Sequence, residues 1–139
     1  MNRILIDTMH LGRLLNDDSY LDLAGAISDG DIETICSVIS LTELTKRLGM
    51  RDVERMRKIR QELLSSRLIF INVTRTIAMQ AGELRLKYDI PTADSLIAAT
   101  GIVGNTTNVL TDDTRHFSPI KKLIKIIDLE TAINLGRKK

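Results

Sequence analysis

Ile4-Leu5-Ile6-Asp7-Thr8 decides the fold. Three aliphatic residues followed by an acid and a hydroxyl read as a short buried strand, Arg3 to Ile6, that ends at Asp7 and turns into a helix at Thr8. That helix carries Leu11, Leu14 and Leu15 on one face and breaks at Asp17 and Asp18. The same alternation recurs along the chain. Ile35–Ile39 is β-branched and uncharged, as strands buried on both faces of a parallel sheet are. Leu68–Val73, Thr107–Thr111 and Lys125–Ile127 read as the remaining strands.

The segments between them have helical periodicity. Ser19–Ser28 is apolar at Leu21, Leu23, Ala24 and Ile27, and Asp29-Gly30-Asp31 then makes a turn. A helix opened by Ser40 ends at Gly49, read as a left-handed cap. Arg51–Ser65 is amphipathic, with Val53, Met56, Ile59 and Leu63 apolar, so the short link at Gly49-Met50 predicts a helical hairpin. Thr74–Lys87 buries Ile77, Ala81 and Leu84; Thr92–Val103, with Thr92 as N-cap, is small and apolar. A last helix spans Leu129 to Leu135, and the tail Arg137-Lys138-Lys139 is expected to fray. Strands alternating with helices predict an α/β fold: a three-layer α/β/α domain with a central parallel sheet and helices on both faces. With no linker or repeat in sight, residues 1–139 are expected to form one domain.

Composition narrows the function classes. The core must be aliphatic, because Tyr20, Phe70, Tyr88 and Phe117 are the only aromatics. The lone cysteine, Cys36, falls in an expected buried strand and reads as inert; it cannot form an internal disulfide. One cysteine and two histidines, His10 and His116, do not make a structural zinc site. No apolar run approaches a membrane span, so a cytoplasmic protein without membrane contact is expected. Between Lys46 and Arg67, eight basic residues face three acids; that segment carries +5, and the net +2 leaves −3 for the rest. A basic patch beside an acidic pocket suits a nucleic-acid substrate, although a solvated helix face explains the charges equally well.

Four acids stand where such a sheet gathers its working groups: Asp7, Glu43 and Asp113 follow strand-like apolar runs, and Asp94 opens a helix after Pro91. Each has a plain alternative. Asp7 can be an N-cap. Ser40-Leu41-Thr42-Glu43 has the spacing of a capping box. Asp94 sits in a first helical turn, where the dipole favours an acid. Asp112 and Asp113 can be turn residues. Together, four carboxylates at one sheet edge repel one another unless a cation or proton compensates.

At this point the chain resembles the PIN-domain ribonucleases, and most closely the VapC-type toxins of type II toxin–antitoxin pairs. Ile4-Leu5-Ile6-Asp7-Thr8 is similar to the family's opening motif, and Ile39-Ser40-Leu41-Thr42-Glu43-Leu44 to its second. Pro91-Thr92-Ala93-Asp94-Ser95-Leu96-Ile97-Ala98-Ala99 resembles the third; Val109-Leu110-Thr111-Asp112-Asp113-Thr114-Arg115-His116-Phe117 resembles the fourth. The resemblance implies Mg²⁺ or Mn²⁺ held by Asp7, Asp94 and Asp113, with Glu43 completing the catalytic set. It implies a supporting shell of Thr8, Thr111 and Asp112, with Asp113 rather than Asp112 as the fourth acid. Arg115 is a candidate for holding substrate phosphate. The implied activity is metal-dependent endoribonuclease hydrolysis of RNA, with a cognate antitoxin and a homodimer as partners. The alternative is a non-catalytic PIN-fold scaffold, or an RNA- or protein-binding module whose acids are only caps. A dehalogenase-like site wants a second acid where Met9 stands, and a receiver wants an acid that Ile69-Phe70-Ile71-Asn72 does not offer.

Overall fold

In the computed structural model, which describes residues 2–137, five strands form one parallel sheet. They are β1 (Asn2–Ile6), β2 (Ile32–Ser37), β3 (Ile69–Ile71), β4 (Asn108–Leu110) and β5 (Lys125–Ile127), in the spatial order β3-β2-β1-β4-β5. The helices are α1 (Thr8–Arg13), α2 (Leu21–Ser28), α3 (Val38–Gly49), α4 (Val53–Ser65), α5 (Arg75–Lys87), α6 (Thr92–Val103), α7 (Thr114–Phe117) and α8 (Leu129–Arg137). Short 3-10 turns precede α2 and follow α7.

Side-chain alternation along β1 builds the three layers. Ile4 and Ile6 pack with Leu11, Leu23, Leu44, Ile59, Leu63 and Ala132, from α1, α2, α3, α4 and α8. Leu5 points the other way, into Ile77, Ala81, Leu84, Ile97, Ala98 and Phe117 from α5, α6 and α7. All three β1 residues are fully buried. The small residues of α6 let it lie close on the sheet. A Cβ on Gly101 would stand 2.9 Å from Leu5 Cδ2.

The chain leaves β1 toward β2 and β3, then returns to the other side of β1 for β4 and β5. Connections diverge between β1 and β4, and a crevice opens at the carboxyl ends of those two strands. The main chain is tied across it: the Asp7 N–H donates to the Leu110 carbonyl at 3.0 Å.

Several boundaries differ from the sequence reading. The second strand ends at Ser37, not Ile39, because the pairing with β3 stops at Ser37↔Ile71. Ser37 Oγ then accepts from the Ile39 N–H at 3.1 Å and starts α3, overriding the β-branched pair Val38-Ile39. Ser40 is therefore inside the helix, and the expected capping box at Ser40–Glu43 does not form. Gly49 is a helical residue, not a left-handed cap. Met50 follows in right-handed geometry, and Asp52 caps α4. The left-handed positions are Gly30, with φ 77°, and Asn105, with φ 58°. Pro91, not Thr92, is the residue before α6; its ring fixes φ at −62° and leads the chain in extended. Leu15, Leu21 and Val53 are exposed. Leu15 lies past the end of α1, and the other two open their helices beyond the core-facing stripe. Arg137 ends α8 and reaches Asp22 at 3.2 Å, whereas Lys138 and Lys139 lie outside the described residues.

Candidate metal centre

Each acid reaches the crevice by its own route. Asp7 follows β1 and caps α1. Its Oδ1 accepts from the Thr8 N–H at 2.8 Å, and its Oδ2 accepts from the Thr111 hydroxyl at 2.7 Å. Capping thus uses one carboxylate oxygen and leaves the other for the sheet edge. Thr111, just past β4, also accepts from the Asp113 N–H at 3.0 Å. One hydroxyl therefore ties the β1 acid to the loop that carries the fourth.

Glu43 lies in the second turn of α3, too far along to cap it. Its Oε1 instead accepts from the Thr8 hydroxyl at 2.7 Å, and Ser40 Oγ lies 2.9 Å from the same hydroxyl. Asp94 sits in the first turn of α6. Asp113 caps the short α7, accepting from the His116 N–H at 3.3 Å through Oδ1. Its Oδ2 points to the His116 ring, with Nδ1 at 2.7 Å; the same Nδ1 is 2.9 Å from Asp94 Oδ2.

Asp7, Thr8, Glu43, Asp94, Asp112 and Asp113 line one open cleft of about 420 Å³, together with Met9 and Arg47. The expected acids thus share one cavity. Asp112 sits at its margin and is 52% exposed. It is drawn toward His10 Nε2 at 3.1 Å and Arg13 at 3.6 Å, away from the Asp94–Asp113 pair. Arg115 is exposed on α7, and the cleft is lined by Arg47 instead. Reading the sequence alone picks out neither Arg47 within its run of basic residues nor any role for His116. The i,i+3 spacing of Asp113 and His116 across one helical turn is the signal that was there to use.

Crowding shows in Asp94. Its pKa is pushed up to about 6, first by burial, then by the negative charges of Asp113 and Asp7; His116 opposes the shift. Such a site gains from a positive charge. Carboxylate oxygens are the donors that Mg²⁺ and Mn²⁺ take, so the residues present fit a divalent ion. Asp94, Asp113 and His116 each offer one ligand atom, all within 4.8 Å of one another.

The fold recurs among solved structures. A chain of the DNA-bound VapBC from Salmonella typhimurium superposes with a TM-score of 0.76 at 20% identity, covering 93% of this chain and 99% of its own. VapBC2 from Rickettsia felis, bound to a DNA fragment from its promoter, gives 0.73 at 23% identity, over 91% and 98% of the two chains. A toxin–antitoxin complex from Klebsiella pneumoniae gives 0.65 at 20% identity, over 91% and 97%. At these identities the likeness is one of fold. No curated protein matches the sequence. Among the described residues, no helix is long and apolar enough to cross a membrane. The PIN domain family model matches residues 4–123, which include Asp7, Glu43, Asp94 and Asp113, and the chain belongs to that family.

Proposed function

We propose that the chain is a divalent-metal-dependent endoribonuclease, the VapC-type toxin of a toxin–antitoxin pair, with residues 1–139 acting as one catalytic unit. The observation that carries this reading is the meeting of Asp7, Glu43, Asp94 and Asp113 in one cleft at the divergence of β1 and β4. Capping does not exhaust these acids. Glu43 caps nothing, and Asp7 and Asp113 each cap with a single oxygen.

Asp7, Asp94 and Asp113 hold the ion, with Glu43 beside them. A bound divalent cation supplies Lewis acidity, acidifying water and offsetting charge on phosphoryl oxygens. The chain's own residues do the rest. Thr111 fixes the rotamer of Asp7 by its hydroxyl bond. Thr8 does the same for Glu43, which lines the cleft and is the group proposed to orient an attacking water. Arg47 at the cleft wall and Arg115 on α7 are the cations proposed to hold flanking phosphates. Arg13 and Arg51 line the adjoining groove with Arg47 and extend the positive track.

The neighbours in fold are VapBC and toxin–antitoxin assemblies. By that analogy this chain takes an antitoxin partner; a second copy as a further partner is part of the same proposal. Purification from the native operon is expected to yield a complex; a lone monomer would count against the partner reading.

The deciding experiment is incubation of purified chain with total RNA and Mn²⁺ or Mg²⁺, with and without EDTA, beside Asp94→Asn. Cleavage that disappears with EDTA and with Asp94→Asn is expected. Folded wild-type chain that neither cuts RNA nor binds either ion in calorimetry overturns the nuclease reading.

A further inference from the structure

The sequence holds two imidazoles, and they are spent differently. His10 is buried, with Tyr20 Oη on one ring nitrogen at 2.7 Å and Asp112 on the other at 3.1 Å. Both of its nitrogens are engaged away from the acid pair. His116 is 31% exposed and turns Nδ1 into the acids.

We propose that His116 Nδ1 is a ligand of the divalent ion, so that the centre is a mixed nitrogen–oxygen site that favours Mn²⁺ over Mg²⁺. This rests on the metal-nuclease reading above. Without an ion, His116 Nδ1 and Asp113 Oδ2 share a hydrogen bond; the same atoms have the spacing of donors around one ion, with the cation displacing the shared proton to solvent. In an octahedral shell with bonds of about 2.1 Å, adjacent donor atoms stand roughly 3.0 Å apart. Nδ1 lies 2.7 Å from Asp113 Oδ2 and 2.9 Å from Asp94 Oδ2. Those carboxylates are two of the proposed ligands, so an ion between them lies within reach of the ring. The helical turn of α7 fixes His116 against Asp113, since the His116 N–H also donates to the other oxygen of that carboxylate. Ligation uses the Nδ1 lone pair, with the ring proton on Nε2. Because the ring is partly exposed, it meets the ion without disturbing the core.

The consequence is selectivity. Mg²⁺ holds oxygen donors and water and gains little from imidazole, whereas transition ions accept nitrogen readily. An all-carboxylate centre distinguishes the two ions weakly; one imidazole tilts the balance toward Mn²⁺.

The test uses full-length chain without a histidine tag and Mn²⁺ as the probe. Pulsed electron paramagnetic resonance of the wild-type complex is expected to show a directly coordinated nitrogen, changing with ¹⁵N-histidine labelling and vanishing in His116→Ala. Calorimetry is expected to show His116→Ala weakening Mn²⁺ binding by about tenfold or more, and Mg²⁺ binding by less. His116→Asn keeps a polar group there and serves if the alanine variant fails to fold; the labelled wild type decides without any variant. Mn²⁺ bound by the wild type with no nitrogen coupling overturns the ligand and leaves the metal-nuclease reading standing. Wild type that binds no Mn²⁺ at all overturns both.

Discussion

Asp112 and Asp113 are neighbours in sequence and opposites in surroundings. Asp113 turns inward, its carboxylate shared between the start of α7, the His116 ring and the face of Asp94. Asp112 turns outward to Arg13 and the buried His10–Tyr20 pair. One carboxylate belongs to an acid cluster met by the single imidazole of His116, the other to a pairing with Arg13 and His10. Residue type and position along the chain are nearly identical here. The partner provided by the rest of the fold makes the difference.

The sharpest way to break that contrast is to neutralise each acid in turn. Asp113→Asn is expected to lower RNA cleavage by roughly a hundredfold or more, the scale of losing one electrostatic contact at a reacting centre. Asp112→Asn should stay within about threefold, as surface changes do. Initial rates on one RNA substrate check both. Equal losses would mean that the two carboxylates act as one unit and would erase the distinction.

Stability should invert the ranking. His10 is 3% exposed and packs against Tyr20 with ring centroids 5.8 Å apart. His10→Ala leaves a cavity and removes one hydrogen-bond partner from each of Tyr20 and Asp112; a loss of about 2–4 kcal/mol is expected in urea denaturation. His116→Ala, in a partly exposed ring outside the core, should cost less than about 1 kcal/mol. A larger loss at His116 than at His10 would show that the acid cluster, not the buried pair, holds the β4–α7 loop.

The acid cluster also carries a pH signature in the metal-free chain. Asp94 has its pKa raised to about 6 by burial, by Asp113 and by Asp7, against an ordinary value of 3.8. A carboxyl raised in the folded state binds its proton more tightly there than in the unfolded chain. Its contribution to stability is therefore full below about pH 4 and is lost as pH rises through about 6. Asp94→Asn should stabilise the chain in EDTA above pH 6 by up to about 3 kcal/mol, and should change little below pH 4. Thermal melts across that window decide it. A gain independent of pH would trace to packing instead of charge.

Much of this was legible in the sequence, for identifiable reasons. Strands buried on both faces announce themselves, and an acid directly after one is placed by the chain itself. Asp7 after Ile4-Leu5-Ile6 is of that kind, whereas the strand Asn108–Leu110 marks only the pair Asp112-Asp113, and the choice of Asp113 comes from the family resemblance. The start of α3 was misplaced because Val38-Ile39 continues the β-branched run, while the decisive contact is the Ser37 side chain on the Ile39 N–H. That error also supplied capping as the plain alternative for Glu43, whereas its side chain bonds Thr8 across 35 residues of chain. His116 and Arg47 stayed unassigned for the same kind of reason. The i,i+3 spacing marks His116 against Asp113, but its approach to Asp94 depends on α6, and the place of Arg47 on the cleft wall depends on how α3 packs beside β1 and α1; no local pattern encodes those meetings.

The finest division between the two clusters lies in a single hydroxyl. An ionised Asp112 only accepts hydrogen bonds, so the His10 Nε2–H donates to it, and in the neutral ring Nδ1 accepts from the Tyr20 O–H. Burial pushes the Tyr20 phenol pKa up, which keeps that proton in place. Tyr20→Phe removes the donor and leaves Nδ1 without a partner inside the core. The expected loss is about 1–3 kcal/mol, the cost of leaving a buried acceptor unpaired. Asp112 still holds the ring proton on Nε2, so ¹⁵N shifts of His10 should report the same single tautomer as in the wild type. RNA cleavage should be unchanged, because nothing in this chain of bonds reaches Asp113. A rate that fell with Tyr20→Phe would join the two clusters through the Asp112–Asp113 peptide, and would make the buried pair a positioning element for the site.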